Sequence, residues 1–339
     1  MLPCLNSKVQ RDKIMSHINI LLTSAGRRVE LIEIFKKALR TRGKVYAADY
    51  DRTAPALYFA DKGFLIPRIS SKNYINFLLE LCKRERIKLL VPLIDPELIK
   101  IARNRKRFIA NGIVPLISEY RVVSIAYDKY LTAQLFKHHG IPAPKTWLAD
   151  RFVRGSKSSF PLILKPRFGS AAIGIQKCED INSLTYFKNK IKPAIVQEYL
   201  SGQEITIDVL CNFKGDLMAA VQRMRIKVRA GEVERGVTIK NKGITKLVKK
   251  IIEILKPYGV INIQCFNTAK GIYFTEINPR FGGGYPLSYQ AGADFPKIIL
   301  DLIEGKKIHI SRVDDYKVGC YMLRYDNAAY LSEGDLKKA

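Results

Sequence analysis

The residues best equipped for chemistry lie in two short apolar segments late in the chain. Val260-Ile-Asn-Ile-Gln264-Cys-Phe266 and Ile272-Tyr-Phe-Thr-Glu276-Ile-Asn278-Pro-Arg280 read as strands joined by a turn at 267–271. A turn centred near Lys270 sets Gln264 opposite Glu276. Glu276 and Asn278, two positions apart, share a face because side chains alternate along a strand. Three oxygen-bearing side chains on one face suit a hard cation, and Mg2+ is commonly held by one or two carboxylates plus substrate phosphates. The solvated polar face of an ordinary hairpin has the same pattern. It does not account for Pro279-Arg-Phe-Gly-Gly-Gly284, which follows at once. Consecutive glycines mark a backbone that packs close to something or must bend.

A second constellation lies upstream. In Phe160-Pro-Leu-Ile-Leu-Lys165-Pro-Arg-Phe-Gly-Ser-Ala-Ala-Ile-Gly-Ile175, an apolar strand ends in a lysine and runs into a loop of small residues, Gly169, Ser170, Ala171, Ala172 and Gly174. Small residues let backbone N–H groups close around phosphate oxygens, and the lysine adds a point charge. The spacing is neither a Walker A loop nor GxGxxG, and Gly-Ser loops also occur in plain hairpins. Downstream, Ala194–Leu200 reads as a strand, Ser201-Gly202 as a turn, and the next strand alternates, with Ile205, Ile207 and Val209 on one face. These are antiparallel pairs. Between His17 and Ile117 the pattern differs: strands near 17–22, 44–50, 64–67, 87–92 and 113–117 alternate with amphipathic helices, as in a parallel sheet covered on both faces.

In such sheets ligands bind beyond the carboxyl ends of the strands. Ser24–Arg28, Asp49–Asp51 and Asp95–Glu97 fall there. Arg27 and Arg28 beside these acids suit a small anionic or zwitterionic substrate, although Asp49 and Asp95 could equally cap helices. Asp49 lies at the distance expected for a dinucleotide-binding acid, but the turn holds only one glycine, Gly26, which argues against NAD or FAD. Gly43 is expected to end the first helix.

The chain has 339 residues and a formal charge of +27, with 47% hydrophobic residues. That apolar share excludes intrinsic disorder, and no run is long enough for a membrane helix. The six cysteines are scattered, without CxxC, which argues against a zinc site or disulfide framework and for a reducing, cytoplasmic setting. The charge attracts polyanions. Lacking any nucleic-acid-binding signature, it points to small anionic substrates before nucleic acid.

Taken together, Lys165-Pro-Arg-Phe-Gly-Ser, Gln197-Glu-Tyr-Leu200, Gly202-Gln-Glu204 and Gln264…Glu276-Ile-Asn-Pro-Arg280 make the sequence resemble the ATP-grasp superfamily. The likeness is nearest to single-copy relatives of the carbamoyl-phosphate synthase large chain and to D-alanine–D-alanine ligase. It implies a parallel α/β pre-ATP-grasp domain (17–118), an ATP-grasp fold of two α+β lobes (119–305) and a small C-terminal extension (306–339), after a disordered N-terminal extension (1–16). It implies that Lys129, Lys165 and the loop with Gly169, Ser170 and Gly174 contact ATP phosphates. Gln197, Glu198 and Leu200 would form the adenine hinge, with Glu204 on the ribose. Gln264, Glu276 and Asn278 would hold Mg2+, with Mn2+ as a substitute, and Arg280 would stabilise the transferring phosphoryl group. Many relatives place an acid where Gln264 stands; glutamine there matches the carbamoyl-phosphate-synthase branch. Beside these roles, the basic stretch 223–238 has the composition of a lid, with Arg223, Arg225 and Arg235 as candidates for binding a substrate carboxylate; exposed arginines on a strand would read the same way. The implied function is an ATP- and Mg2+-dependent carboxylate–amine ligase acting through an acyl phosphate on small carboxylate and amine substrates, without a membrane partner and with a homodimer admitted. The alternatives are carbamoyl-phosphate-synthase-like carboxyphosphate or carbamate chemistry, and a non-catalytic nucleotide- or nucleic-acid-binding module.

Overall fold

In a computed structural model, residues 17–152, 159–169 and 173–336 are described. The expected N-terminal extension and Ser170 lie outside them. Buried apolar strands separated by amphipathic helices force the first part of the chain into a five-stranded parallel sheet. Its strands are β1 (Asn19–Thr23), β2 (Val45–Asp49), β3 (Lys62–Leu65), β4 (Ile87–Pro92) and β5 (Val114–Pro115), in the order β3-β2-β1-β4-β5. Helix Val29–Leu39 buries Leu31, Ile32, Ile34, Phe35 and Leu39 against it. This helix ends earlier than expected: Arg40, with φ of +55°, breaks it. Gly43 serves a different purpose, because a Cβ there would overlap the Ile18 carbonyl where the chain turns into β2.

Two antiparallel sheets follow. The smaller contains β6 (Thr146–Leu148), β7 (Leu162–Pro166), β8 (Gln176–Cys178) and β9 (Ala194–Glu198), in the order β6-β9-β7-β8, and packs on helix Ile181–Lys190 through Leu184. The larger contains β10 (Gly202–Cys211), β11 (Leu217–Arg229), β12 (Glu232–Ile239), β13 (Gly259–Thr268), β14 (Gly271–Asn278) and β15 (Tyr321–Leu323), in the order β14-β13-β10-β11-β12-β15. Alternation splits its two faces. Ile205, Ile207, Val209, Ile261, Ile263 and Cys265 are buried against helix Lys242–Leu255, whose Ile244, Val248, Ile251, Ile252 and Leu255 form one apolar stripe. The other face is left for polar side chains. No helix among the described residues is long and apolar enough to cross a membrane.

Candidate functional site

A cleft of about 680 Å³ lies between the parallel sheet and the two antiparallel sheets, within the size range of small-molecule sites. Its floor is the polar face of the large sheet. Strand register sets Arg223, Thr206, Gln264 and Glu276 side by side across β11, β10, β13 and β14, and Asp208, Asn262 and Asn278 in the next row. The Gln264–Glu276 pair arises differently from expectation. The hairpin closes between Thr268 and Gly271, so an unbroken ladder would set Gln264 against Thr275. A bulge next to Gln264 adds one residue on β14 and brings Glu276 opposite. Bulges re-aim side chains in this way and are over-represented beside active sites.

Lys165, the fourth residue of β7, reaches the cleft from the opposite side, although only 6% of it is exposed. Burial pulls its ammonium below the ordinary lysine value; Glu276 and Glu204 pull it back up, and Lys129 pushes it further down. Among the described residues no cation lies within ion-pair distance of Glu276. An unpaired carboxylate between two amide side chains is an all-oxygen donor set with one negative charge, which fits a cation whose remaining ligands come from phosphates and water. Among the described residues there is no cluster of three His, Cys, Asp or Glu that could hold a metal unaided.

The other expected residues fall around this centre. Lys129 is buried and donates to the Gly169 carbonyl, so it holds the base of the small-residue loop. Gly169 and Gly174 adopt φ of +100° and +75°, values that favour glycine. Gln197 donates to Thr146 Oγ1 at 2.8 Å, and Glu198 accepts from the Lys145 N–H at 2.9 Å, which fixes the end of β9 against β6. Glu198 and Leu200 line the cleft beside Ile163, Ile175 and Phe266, its apolar end. Glu204 is paired with Arg225, which also donates to the Gly231 carbonyl at 2.9 Å. Arg235 is not brought to the cleft: it is exposed, and β12 pairs it with Lys227 on β11 and Leu323 on the edge strand β15.

Arg223 differs from the lid role expected of it. It is 1% exposed and grips the fully buried Asp208 at 2.7 and 3.0 Å. Asp208 also accepts from Asn262 Nδ2 at 2.8 Å and Ser288 Oγ at 2.6 Å. This network, with the Arg28–Glu232 ion pair beside it, explains the glycine run. A Cβ on Gly282 would fall within 3.0 Å of Asn262 and Asp208, one on Gly283 within 3.0 Å of Arg28 and Glu232, and one on Gly284 within 3.0 Å of Arg223. Asp208 and Asn262 escaped the sequence reading. The available signal was their two-residue spacing from Thr206 and Gln264, which puts them on the same face.

Arg280 donates to Asp95 at 2.8 and 3.2 Å, tying the large sheet to the helix that follows β4. Asp95 thus lines the cleft and does more than open a helix. Asp49, by contrast, accepts the backbone N–H groups of Gly26 at 2.8 Å and Asp51 at 3.0 Å, a local turn role.

Two family models match the chain: "PylC-like, N-terminal domain" over residues 20–117 and "ATP-grasp in the biosynthetic pathway with Ter operon" over 190–320. The carbamoyl phosphate synthase large chain of Thermoanaerobacter sp. (strain X514) is 27% identical over 222 residues, which is 59% of this chain and 20% of that protein. That of Clostridium acetobutylicum is 22% identical over 282 residues, 77% of this chain and 25% of that one. The chain therefore spans a quarter or less of these relatives' length. Among solved structures, the biotin carboxylase domain of Hydrogenobacter thermophilus 2-oxoglutarate carboxylase, a dimer in complex with MgADP and bicarbonate, superposes with a TM-score of 0.72 at 16% identity, covering 89% of this chain and 73% of that one. The L-amino acid ligase of Bacillus licheniformis gives 0.64 at 17% identity, covering 85% and 74%. At such identities the likeness establishes the fold.

Proposed function

We propose, from the match of residues 190–320 to an ATP-grasp family model and the shared fold, that the chain is an ATP- and Mg2+-dependent ligase that activates a small carboxylate as an acyl phosphate and joins it to an amine. The observation carrying this reading is the buried Lys165 across from Glu276, which has no ion-pair partner among the described residues and is set between Gln264 and Asn278, in a cleft with an apolar far end. Adenine would occupy that apolar end beside Glu198 and Leu200, with Glu204 near the ribose. The triphosphate would run toward Lys165 and the small-residue loop, whose base Lys129 holds. Gln264, Glu276 and Asn278 would hold Mg2+, and Mn2+ has the same preference for oxygen ligands. The metal would neutralise charge between nucleotide phosphates.

Phosphoryl transfer is mainly positioning and charge neutralisation. Lys165 supplies positive charge from one side. Arg280, held by Asp95, presents a fixed guanidinium from the other. A carboxylate oxygen attacks the γ-phosphorus, ADP leaves with the bond pair, and an amine then displaces phosphate from the acyl phosphate. Arg225, anchored near the tip of the β11–β12 hairpin, is placed to help exclude water from that reactive intermediate. The reading takes the cytoplasm as the compartment and small acids and amines as substrates.

The test is ADP and phosphate release with MgATP against a panel of carboxylic acids and amines. Acid-dependent turnover that Glu276→Ala abolishes, with circular dichroism unchanged, is expected; unaltered turnover in that variant would remove Glu276 from the metal site. One second reading takes bicarbonate as the acid: the sequence relatives are carbamoyl phosphate synthase large chains, and the biotin carboxylase neighbour holds bicarbonate. Turnover with bicarbonate alone would select it.

A further inference from the structure

A second cavity, about 620 Å³, lies against the first. Arg28, Glu232, Val233, Gly282 and Gly283 line both and form the wall between them. Glu232 opens β12, just beyond the Ala230-Gly231 tip of the hairpin. Its carboxylate lies 2.9 Å from Arg28, 3.1 Å from Arg27 and 3.1 Å from Arg324. These arginines come from the turn after β1 and the segment after β15. Arg324 is fixed further by donating to the Gly283 carbonyl.

Arg28 is the member most enclosed. Its guanidinium is lowered to about 10, chiefly by burial; Glu232 opposes the fall, and Arg280, Arg324 and Arg27 contribute to it. Glu232 is pushed up by burial, but the arginines outweigh this and hold it below the usual carboxylate range. Arg280 already has Asp95, and among the described residues Arg27, Arg28 and Arg324 share one carboxylate, Glu232. Guanidinium groups crowded into a wall are stable when an anion bridges them, and a carboxylate fits their fork. The other acids lining the cavity are Glu30, Glu33, Glu234 and Asp326. Glu33 pairs with Lys36, Glu234 with Lys227 and Arg229, and Asp326 with Arg229. Leu31, Pro55, Phe59, Pro286 and Leu323 form an apolar part of the wall, beside the polar Tyr325 and Asn327.

We propose that Glu232 is an internal stand-in for the substrate's carboxylate: Arg28 and Arg324 form the acid clamp, the second cavity receives the acid's apolar body, and Glu232 withdraws with the hairpin tip when the acid binds. This rests on the ligase reading and names its substrate class, a monocarboxylic acid with an apolar body. The clamp lies against the glycine run that follows Arg280, so a carboxylate held there stands at the end of the first cavity where the γ-phosphate would lie. The acid is already ionised, so its attack on phosphorus requires no proton transfer.

The test uses the full chain with acetate, hexanoate and phenylacetate. Binding is measured by calorimetry without nucleotide, and initial rates of ADP release are measured with MgATP. Glu232→Gln should tighten hexanoate and phenylacetate at least tenfold and lower their KM, with the KM for ATP unchanged. Hexanoate and phenylacetate should bind better than acetate to the wild type. Because Glu232→Gln also releases arginine repulsion, Phe59→Ala on the open wall provides an independent arm: it should raise the KM of the two larger acids and spare that of acetate. Equal binding of all three acids, or unchanged acid affinity in Glu232→Gln, overturns the proposal. Acid binding without any ADP release supports the clamp and instead overturns the ligase reading. Turnover with bicarbonate while the larger acids fail to bind does the reverse.

Discussion

Lys165 carries its ammonium into a buried site, with 6% of the residue exposed. A buried ammonium is tolerable where carboxylates or phosphates face it, and Glu276 and Glu204 are the acids that raise its proton affinity. Lys165→Ala should therefore weaken ATP binding by about 1.5–3 kcal/mol, the usual worth of a charged hydrogen bond, or roughly tenfold to a hundredfold. A nucleotide dissociation constant that does not move would take Lys165 out of the site. Gly284 makes a steric prediction. Arg223, the side chain a new Cβ would meet, is locked in a buried pair with Asp208 and cannot swing aside. Gly284→Ala should cost about 1–3 kcal/mol, as overpacking commonly does, read from the urea midpoint. Wild-type stability in that variant would mean that the buried pair yields. The importance of Gly282–Gly284 was legible from the residue run, but the partners were not, because Arg223 and Arg28 come from strands and turns distant in sequence.

At the scale of elements, alternation along β10, β13 and β14 separates a helix-covered apolar face from a polar face. That division was readable from Ile205, Ile207 and Val209 beside Glu204, Thr206 and Asp208. The bulge at Thr275 was not, since nothing local distinguishes an extra ladder residue from an ordinary one. The parallel sheet has its own buried acid: Glu97 accepts from Thr23 Oγ1 at 3.1 Å, Ser24 Oγ at 3.0 Å, Tyr74 OH at 2.5 Å and the Leu93 N–H at 2.9 Å. Burial raises its carboxyl above the ordinary value of 4.5, against the hydrogen bonds, which lower it. The folded state thus holds this proton more tightly than the unfolded chain. The associated stability is complete below the ordinary glutamate range and is lost as pH rises through the raised folded value. Urea unfolding between pH 4 and 8 should show wild-type stability falling relative to Glu97→Gln as pH rises; parallel curves would contradict the upward shift of the Glu97 carboxyl.

At the scale of the whole molecule, the cleft exists only because three sheets meet around it, so a ligand bound there should stabilise their arrangement. MgATP at about a hundred times its dissociation constant should add about 2.7 kcal/mol, seen as a rise in Tm that EDTA reverses and Glu276→Ala lacks. A rise that persists in EDTA would argue against the metal role. The charge of +27 also looks different in three dimensions. Arg28, Arg223, Arg225, Arg280 and Arg324 are turned inward onto acids around the two cavities. The amino-acid sequence by itself determined the order of strands and helices, the change from parallel to antiparallel pairing, and which strands carry Lys165, Gln264, Glu276 and Asn278. Those follow from hydrophobic period and local spacing, which act over a few residues. Tertiary structure alone decided that Asp95 holds Arg280, that Arg223 belongs to the floor, that Arg235 stays outside, and that Glu232 sits among three arginines. Partners 15 to 205 residues apart meet only when separate sheets pack, and the energy of a buried charge depends on what surrounds it there.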